Sequence, residues 1–233
     1  MDRHNMTGGA PPSESWAIER VRGTAAAFHA REDVDPAVRL VSFFEVTQPA
    51  LVLGSAQPVT DVDAAAIDRQ GVELVRRRSG GGAVLLVPDE VVWVDVVVPR
   101  GDRLWCDDVG RAFHWLGEVW IEALGGLGFH GVSHEGPLAC SPWSRRVCFA
   151  GVGAGEVLVG GRKVVGISQR RGRIAARFQC AVLRRWDPGA VVGLMAMNEL
   201  EKEEALMGLR EVAAGIDAPA DDIETALINS LPR

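Results

Sequence analysis

Apolar and polar positions along this 233-residue chain follow two periods. Val91 to Val98 is a nearly unbroken apolar run, interrupted only by Asp95, and predicts a strand covered on both faces. Ile174, Ala176, Phe178, Cys180 and Val182 alternate strictly, which predicts a half-buried strand over 173–183. Val38 to Val46, Ala50 to Gly54, Val72 to Val75 and Ala83 to Val87 read as further strands. Glu156 to Val159 and Lys163 to Ser168 read as a hairpin across Gly160-Gly161. The helical period is clearest from Val109 to Leu127, where Ala112, Phe113, Leu116, Val119, Trp120, Ala123 and Leu124 fill one wide stripe. Ile18, Val21, Ala25 and Phe28 recur at helical spacing and predict a helix from Ser13, and Val62 to Gln70 predicts a short one stopped by Gly71. The chain end is expected to be helical from about Pro188. Because the strands come in adjacent pairs, an α+β layer fold is expected rather than a doubly wound sheet. The expected organisation is a flexible N-terminus over 1–12, a main domain over 13–187 and a helical tail over 188–233.

Composition narrows the class. Apolar residues make up 47% and charged residues 24%, which excludes wholesale disorder. No apolar run approaches the ~20 residues of a membrane helix, and the N-terminus lacks the apolar stretch of a secretory signal, so a cytoplasmic protein is expected. Four cysteines without a CxxC pair form neither a zinc framework nor a disulfide scaffold, and His114 and His134 lack ligand spacing, so no metal site is expected. A free cysteine is either a small buried hydrophobe or a nucleophile. Only two of the 25 basic residues are lysine, Lys163 and Lys202. A lysine kept in so arginine-rich a chain is a candidate for chemistry that only an ammonium performs. From Ser141 to Arg185 basic residues outnumber acids ten to one, Glu156 being the single acid. That asymmetry points to an anionic ligand or acidic partner, or else to a solvated basic face. Nucleic acid is not expected, since the net charge is −6 and no aromatic residues interleave Arg170, Arg171, Arg173 and Arg177.

Arg76-Arg77-Arg78-Ser79-Gly80-Gly81-Gly82-Ala83-Val84 leaves one strand and enters another. No helix follows and no GK[ST] ends it, so it is neither a dinucleotide fingerprint nor a Walker loop. Three glycines remove every Cβ, so the backbone can approach a ligand and aim N–H groups at an oxygen, while the arginines offer charge to a phosphate or carboxylate. A flexible hairpin loop is the alternative.

This segment resembles the R-R-x-S/T-G-G-G-A-V signature of the lipoate–protein ligase and octanoyltransferase family, which shares its fold with the biotin ligases. Leu51 to Pro58, with Gly54 and Gln57, is similar to the family's apolar-G-x-x-Q segment, and Gly161 to Arg170 to its G-[RK]-K-[IV]-x-G-[SA]-x-Q segment. The resemblance implies a biotin/lipoate ligase-type catalytic domain that attaches a lipoyl or octanoyl group to a lysine of a carrier domain. It implies that Lys163 contacts the acyl carbonyl, where a fixed cation stabilises the charge built up in acyl transfer. It further implies a site for the acyl group or acyl-adenylate made of Arg77, Ser79, Gly80, Gly81, Gly82, Ala83, Gln57, Gly166 and Ser168.

Two activation routes follow. The first expectation is a ligase that uses ATP and Mg²⁺ to make an acyl-adenylate from lipoate or octanoate, with Glu156 helping to hold the metal. The alternative is an octanoyltransferase: Cys148-Phe149 precedes Glu156 and Lys163 as in the branch whose cysteine takes octanoate from acyl carrier protein as a thioester, with Arg145, Arg146 and Lys163 as candidates to favour the thiolate. A non-catalytic acyl-binding or regulatory protein is a third possibility. The implied partner is an acidic carrier: a lipoyl domain of a dehydrogenase complex, a glycine-cleavage H-type protein, or acyl carrier protein. The chain departs from the family at Leu85-Leu86, where a histidine is common, and at Gln179-Cys180, where His-Gly is common.

Overall fold

The computed structural model describes residues 13–31 and 38–233; the N-terminal stretch 1–12, expected to be flexible, lies outside them. In chain order the described elements are β1 (Ser13–Gly23), α1 (Ala25–Ala30), β2 (Val38–Val46), β3 (Ala50–Leu53), α2 (Ala64–Gln70), β4 (Glu73–Arg76), β5 (Val84–Leu86), β6 (Val91–Pro99), α3 (His114–Gly126), β7 (Gly131–Ser133), β8 (Val157–Val159), β9 (Arg162–Arg171), β10 (Ala175–Leu183), α4 (Pro188–Val192), α5 (Glu199–Leu209) and α6 (Ala220–Ser230). The fold is mixed α+β.

The strands form a large sheet in the order β1-β2-β6-β10-β9-β8-β7 and a small one in the order β4-β3-β5. The unbroken apolar run of β6 reflects its place between β2 and β10, both antiparallel to it. Its alternation divides two cores. Val92, Val94, Val96 and Val98 face a layer built from Leu116, Trp120 and Leu124 of α3 and Ile223 and Leu227 of α6. Trp93 faces the other way, into a cluster with Phe28, Phe44, Val52 and Leu86 that joins the two sheets. The β8–β9 turn is as expected: Gly160 at φ 58° and Gly161 at φ 78° give the two left-handed residues a tight hairpin needs.

The segment from Ser13 is a strand, not the helix its spacing suggested. Trp16, Ile18 and Val21 are good strand formers, and β1 runs parallel to β2 along its whole length, with Ala17 opposite Leu40 and Val21 opposite Phe44. The helix begins only after Gly23, where the Thr24 hydroxyl accepts the Ala27 N–H at 3.2 Å. Non-local pairing thus overrides the local period. β7 also escapes the sequence pattern, being only three residues long.

Candidate active site

Two cavities meet between the sheets. One is a narrow, mainly apolar slot of about 60 Å³, walled by Val52, Val84, Leu86, Phe149, Ile167 and Ala181. The other is an open cleft of about 790 Å³, lined by Gly80, Gly81, Gly82, Arg145, Arg146 and Lys163 among others. Cys148, Glu156, Ile167 and Ser168 line both, so the half-buried cysteine stands where the slot opens into the cleft.

The glycine loop is held from behind by its own arginines. The Arg76 guanidinium donates to the carbonyls of Gly54 at 2.8 Å and Gln57 at 2.6 Å. That of Arg77 donates to Val52 at 3.1 Å, Gly80 at 2.7 Å and Gly82 at 2.8 Å. Carbonyl oxygens occupy both terminal nitrogens of the buried Arg77, whereas the exposed Arg76 is engaged through Nη1. Gly54 lets the two loops touch: a Cβ there would lie 1.9 Å from the Gly81 carbonyl oxygen. In a trans peptide the N–H points opposite the C=O. Turning the Gly80 and Gly81 carbonyls toward Arg77 and Gly54 therefore turns the N–H groups of Gly81 and Gly82 away from them, and among the described residues neither has an acceptor. Donors of this kind, free at a cleft, suit a developing oxyanion.

The loop and the cysteine are tied through the main chain. The Ala83 N–H donates to Arg146 O and the Cys148 N–H to Ala83 O, both at 2.9 Å. Ala83 is therefore buried behind the loop and does not line the cleft. Cys148 opens a single turn, Cys148–Ala150, and the Arg77 Nη2 lies 3.9 Å from its Sγ.

Lys163, on β9, is 1% exposed, and its Nζ contacts Glu156 Oε2 at 2.6 Å, Gly151 O at 2.9 Å and Cys148 O at 3.3 Å, above the Phe149 ring. Its contact with Cys148 is to the carbonyl; no hydrogen bond joins Nζ to Sγ. Arg145 is exposed and Arg146 faces Glu201 at 3.9 Å, so of the cations in contact with the sulfur it is Arg77 that the structure supplies, a residue expected instead to bind substrate.

Glu156 is fixed at every oxygen. Its Oε1 accepts the Ile167 N–H at 2.9 Å, and its Oε2 accepts the Gly153 N–H at 2.7 Å besides the lysine. A carboxylate so engaged is held in place by the protein, with acceptor capacity left on Oε1, and among the described residues no group of three His, Cys, Asp or Glu is placed to hold a metal by protein ligands alone.

The remaining expected residues divide. Ser168 and Ser79 pair through their hydroxyls at 3.1 Å beside the slot, and Gly166 lies in the slot wall. Gln57 borders the cleft, but its amide donates to Arg146 O at 3.1 Å, which braces the loop. Sequence reasoning missed the inner end of the slot, where His29, Trp93 and Gln179 gather. Behind them Asp95 accepts from Trp93 Nε1 at 3.0 Å and faces Arg177 at 3.4 Å. Burial pushes Asp95 up to about 6 in spite of that arginine. Burial first, then the charges of Arg77 and Arg177, press His29 down to about 4. The lone Asp95 inside the apolar run of β6 was the available signal.

The basic stretch is not one face. Arg171 donates to the Asp107 carbonyl, Arg177 is buried against Asp95, Arg184 bonds the carbonyls of Ala218 and Asp89, and Arg185 meets Glu90. Arg145 and Arg146 are the members that border the cleft alongside Lys163. Among the described residues no helix is long and apolar enough to cross a membrane.

Comparison with known proteins identifies the family. Residues 11–228 match the family model of the lipoyl protein ligase A/B catalytic domain. An octanoyltransferase LipM of Kyrpidia tusciae is 30% identical, covering 92% of this chain and 85% of its own length. One from Geobacillus kaustophilus is 26% identical, covering 91% and 76%. Among solved structures, a bipartite lipoate protein ligase of Thermoplasma acidophilum, described with its E2 lipoyl domain, superposes with a TM-score of 0.70 at 19% identity, over 91% of this chain and 80% of that one. With residues 11–228 matched by that model and a relative 30% identical over most of both chains, the chain belongs to the lipoyl protein ligase A/B catalytic-domain family, as an enzyme of the lipoate ligase and octanoyltransferase class.

Proposed function

We propose that the protein is an octanoyltransferase that carries the acyl group on Cys148, and not the adenylate-forming ligase expected first. The observation that carries this reading is the position of Cys148 at the mouth of the apolar slot, with the free N–H groups of the loop beside it. The LipM relatives support it.

In the first half-reaction the Cys148 thiolate attacks the carbonyl of an octanoyl thioester on acyl carrier protein. The tetrahedral oxyanion sits against the Gly81 and Gly82 N–H groups and within reach of Lys163, whose 3.3 Å bond to Cys148 O is the weakest of its three and the one it can exchange. Collapse expels the carrier thiolate, which takes up the proton lost by Cys148. Thioester exchange is nearly isoenergetic, so no nucleotide is needed. In the second half-reaction the lysine amine of a lipoyl domain attacks the Cys148 thioester, the C–S bond breaks, and an amide forms. The amine's proton leaves to solvent or to the returning Cys148 sulfur. The octanoyl chain lies in the slot throughout, and the acidic carrier faces Arg145 and Arg146 at the cleft.

Mixing the protein with octanoylated carrier, without ATP, and reading the intact mass tests this. An octanoyl adduct that maps to Cys148 and then moves to a lipoyl domain is expected. Transfer that needs ATP and releases pyrophosphate would return the ligase reading. Carrier binding should weaken as salt is raised, since exposed arginines are screened.

A further inference from the structure

Lys163 and Arg77 are the two cations nearest the sulfur, and they differ in what neutralises them. Lys163 is paired with Glu156 at 2.6 Å and its three hydrogens all have oxygen acceptors. Arg77 is 6% exposed, and among the described residues no carboxylate lies within ion-pair distance of it. Its partners are three carbonyl oxygens and Cys148 Sγ. A buried guanidinium solvated only by carbonyls leaves its full charge for whatever anion comes beside it.

We infer that Arg77, not Lys163, is the positioning residue that supplies the charge on which the Cys148 thiolate depends, both before attack and when the sulfur leaves. This rests on the Cys148 thioester reading for its role in catalysis, though not for the charge itself. Nη2 has two hydrogens, and both already meet carbonyls, at 2.7 and 2.8 Å. At 3.9 Å the sulfur therefore feels the charge rather than a dedicated hydrogen bond. One side chain thus does two things: it turns the Gly80 carbonyl inward, which frees the Gly81 N–H for the oxyanion, and it places a net positive charge beside the nucleophile. The other charged or titratable groups around the sulfur are Glu156 and Lys163, which cancel each other, and Cys180 and His29 in the slot, the latter kept neutral by burial and then Arg77. Along the cleft are Asp61, the exposed Arg145, and Arg146, which faces Glu201. The charge of Arg77 is thus felt at the inner end of the slot as well as at its mouth.

The test is the rate at which Cys148 in the full chain is alkylated near neutral pH, read by peptide mass spectrometry with the exposed Cys140 as internal reference. In wild-type protein the ratio of the rate with anionic iodoacetate to that with neutral iodoacetamide should be several-fold higher at Cys148 than at Cys140. Arg77→Gln should slow iodoacetamide labelling of Cys148 by about tenfold, as loss of a charge at this distance predicts. Arg77→Lys should restore the rate to within about threefold, because it keeps the charge; Cys140 should label equally in all three. Wild-type labelling of Cys148 in a folded Arg77→Gln protein, or a failure of lysine to rescue it, overturns the inference. If the glutamine variant does not fold, the wild-type reagent ratio decides, and equal ratios at Cys148 and Cys140 overturn it. A wild-type protein that forms no octanoyl adduct would instead sink the thioester reading, whatever the labelling gives.

Discussion

Cys148 and Cys180 both stand in the wall of the acyl slot, yet they are prepared for opposite fates. Cys180 alternates with Gln179 and Ala181 along β10, and its thiol turns into the helix-side core among Val94 and Trp120. Burial, then the charges of Asp95 and Glu156, push it up to about 12, so it stays protonated and inert. Cys148 sits on a single turn at the slot mouth, half-buried, beside a guanidinium with no counter-ion. The two thiols thus differ in which side of one strand layer the sulfur takes and in the charged groups beside it.

The sharpest way to break the contrast is to remove each sulfur in turn. Cys148→Ala should lower octanoyl transfer by more than about a thousandfold and abolish the protein adduct. Cys180→Ala should leave both intact and lower stability by about 1 kcal/mol, measured by denaturant unfolding. Glu156→Gln comes next. It leaves the buried Lys163 ammonium without its carboxylate, which costs about 3–5 kcal/mol, and should lower the melting temperature by about 10 °C. Gly54→Ala acts on the Cys148 side alone. Its methyl would collide with the Gly81 carbonyl, so the loop must shift. We expect a stability loss of about 1–3 kcal/mol and a fall of about a hundredfold in transfer rate, more than that stability loss alone would give.

An effect confined to acid pH lies at the inner end of the slot. His29 stands at about 4 in the fold against an ordinary 6.5, so the folded state favours its neutral form. Below about 6.5 the unfolded chain binds the proton first, and wild-type protein should lose stability relative to His29→Asn as the pH falls toward 4; above that window the two curves should run parallel. Unfolding free energies of both proteins across that range give the check.

The sequence disclosed the core strands because their patterns are local: the valine run of β6 and the alternation of β10 each report one strand's own two faces. It failed at β1, whose partner strand is what decides its conformation. At the site, residues of the three motif segments line one cleft, but their contacts could not be read from the sequence. Arg77 looks like a ligand for an anion until the fold shows its terminal nitrogens on carbonyls, and Ala83 looks like a contact until its main chain is seen bonded to Arg146 and Cys148. Pairings of this kind join segments some 65 residues apart, and no window of the sequence contains both halves.

That pairing across Ala83 has a mechanical consequence. Cys148 and the glycine loop belong to one stiff piece of backbone, so on the proposed thioester route opening the cleft to admit a carrier does not separate them. Amide protons at Ala83 and Cys148 should exchange among the slowest around the cleft, and the give needed for docking must come from the opposite rim.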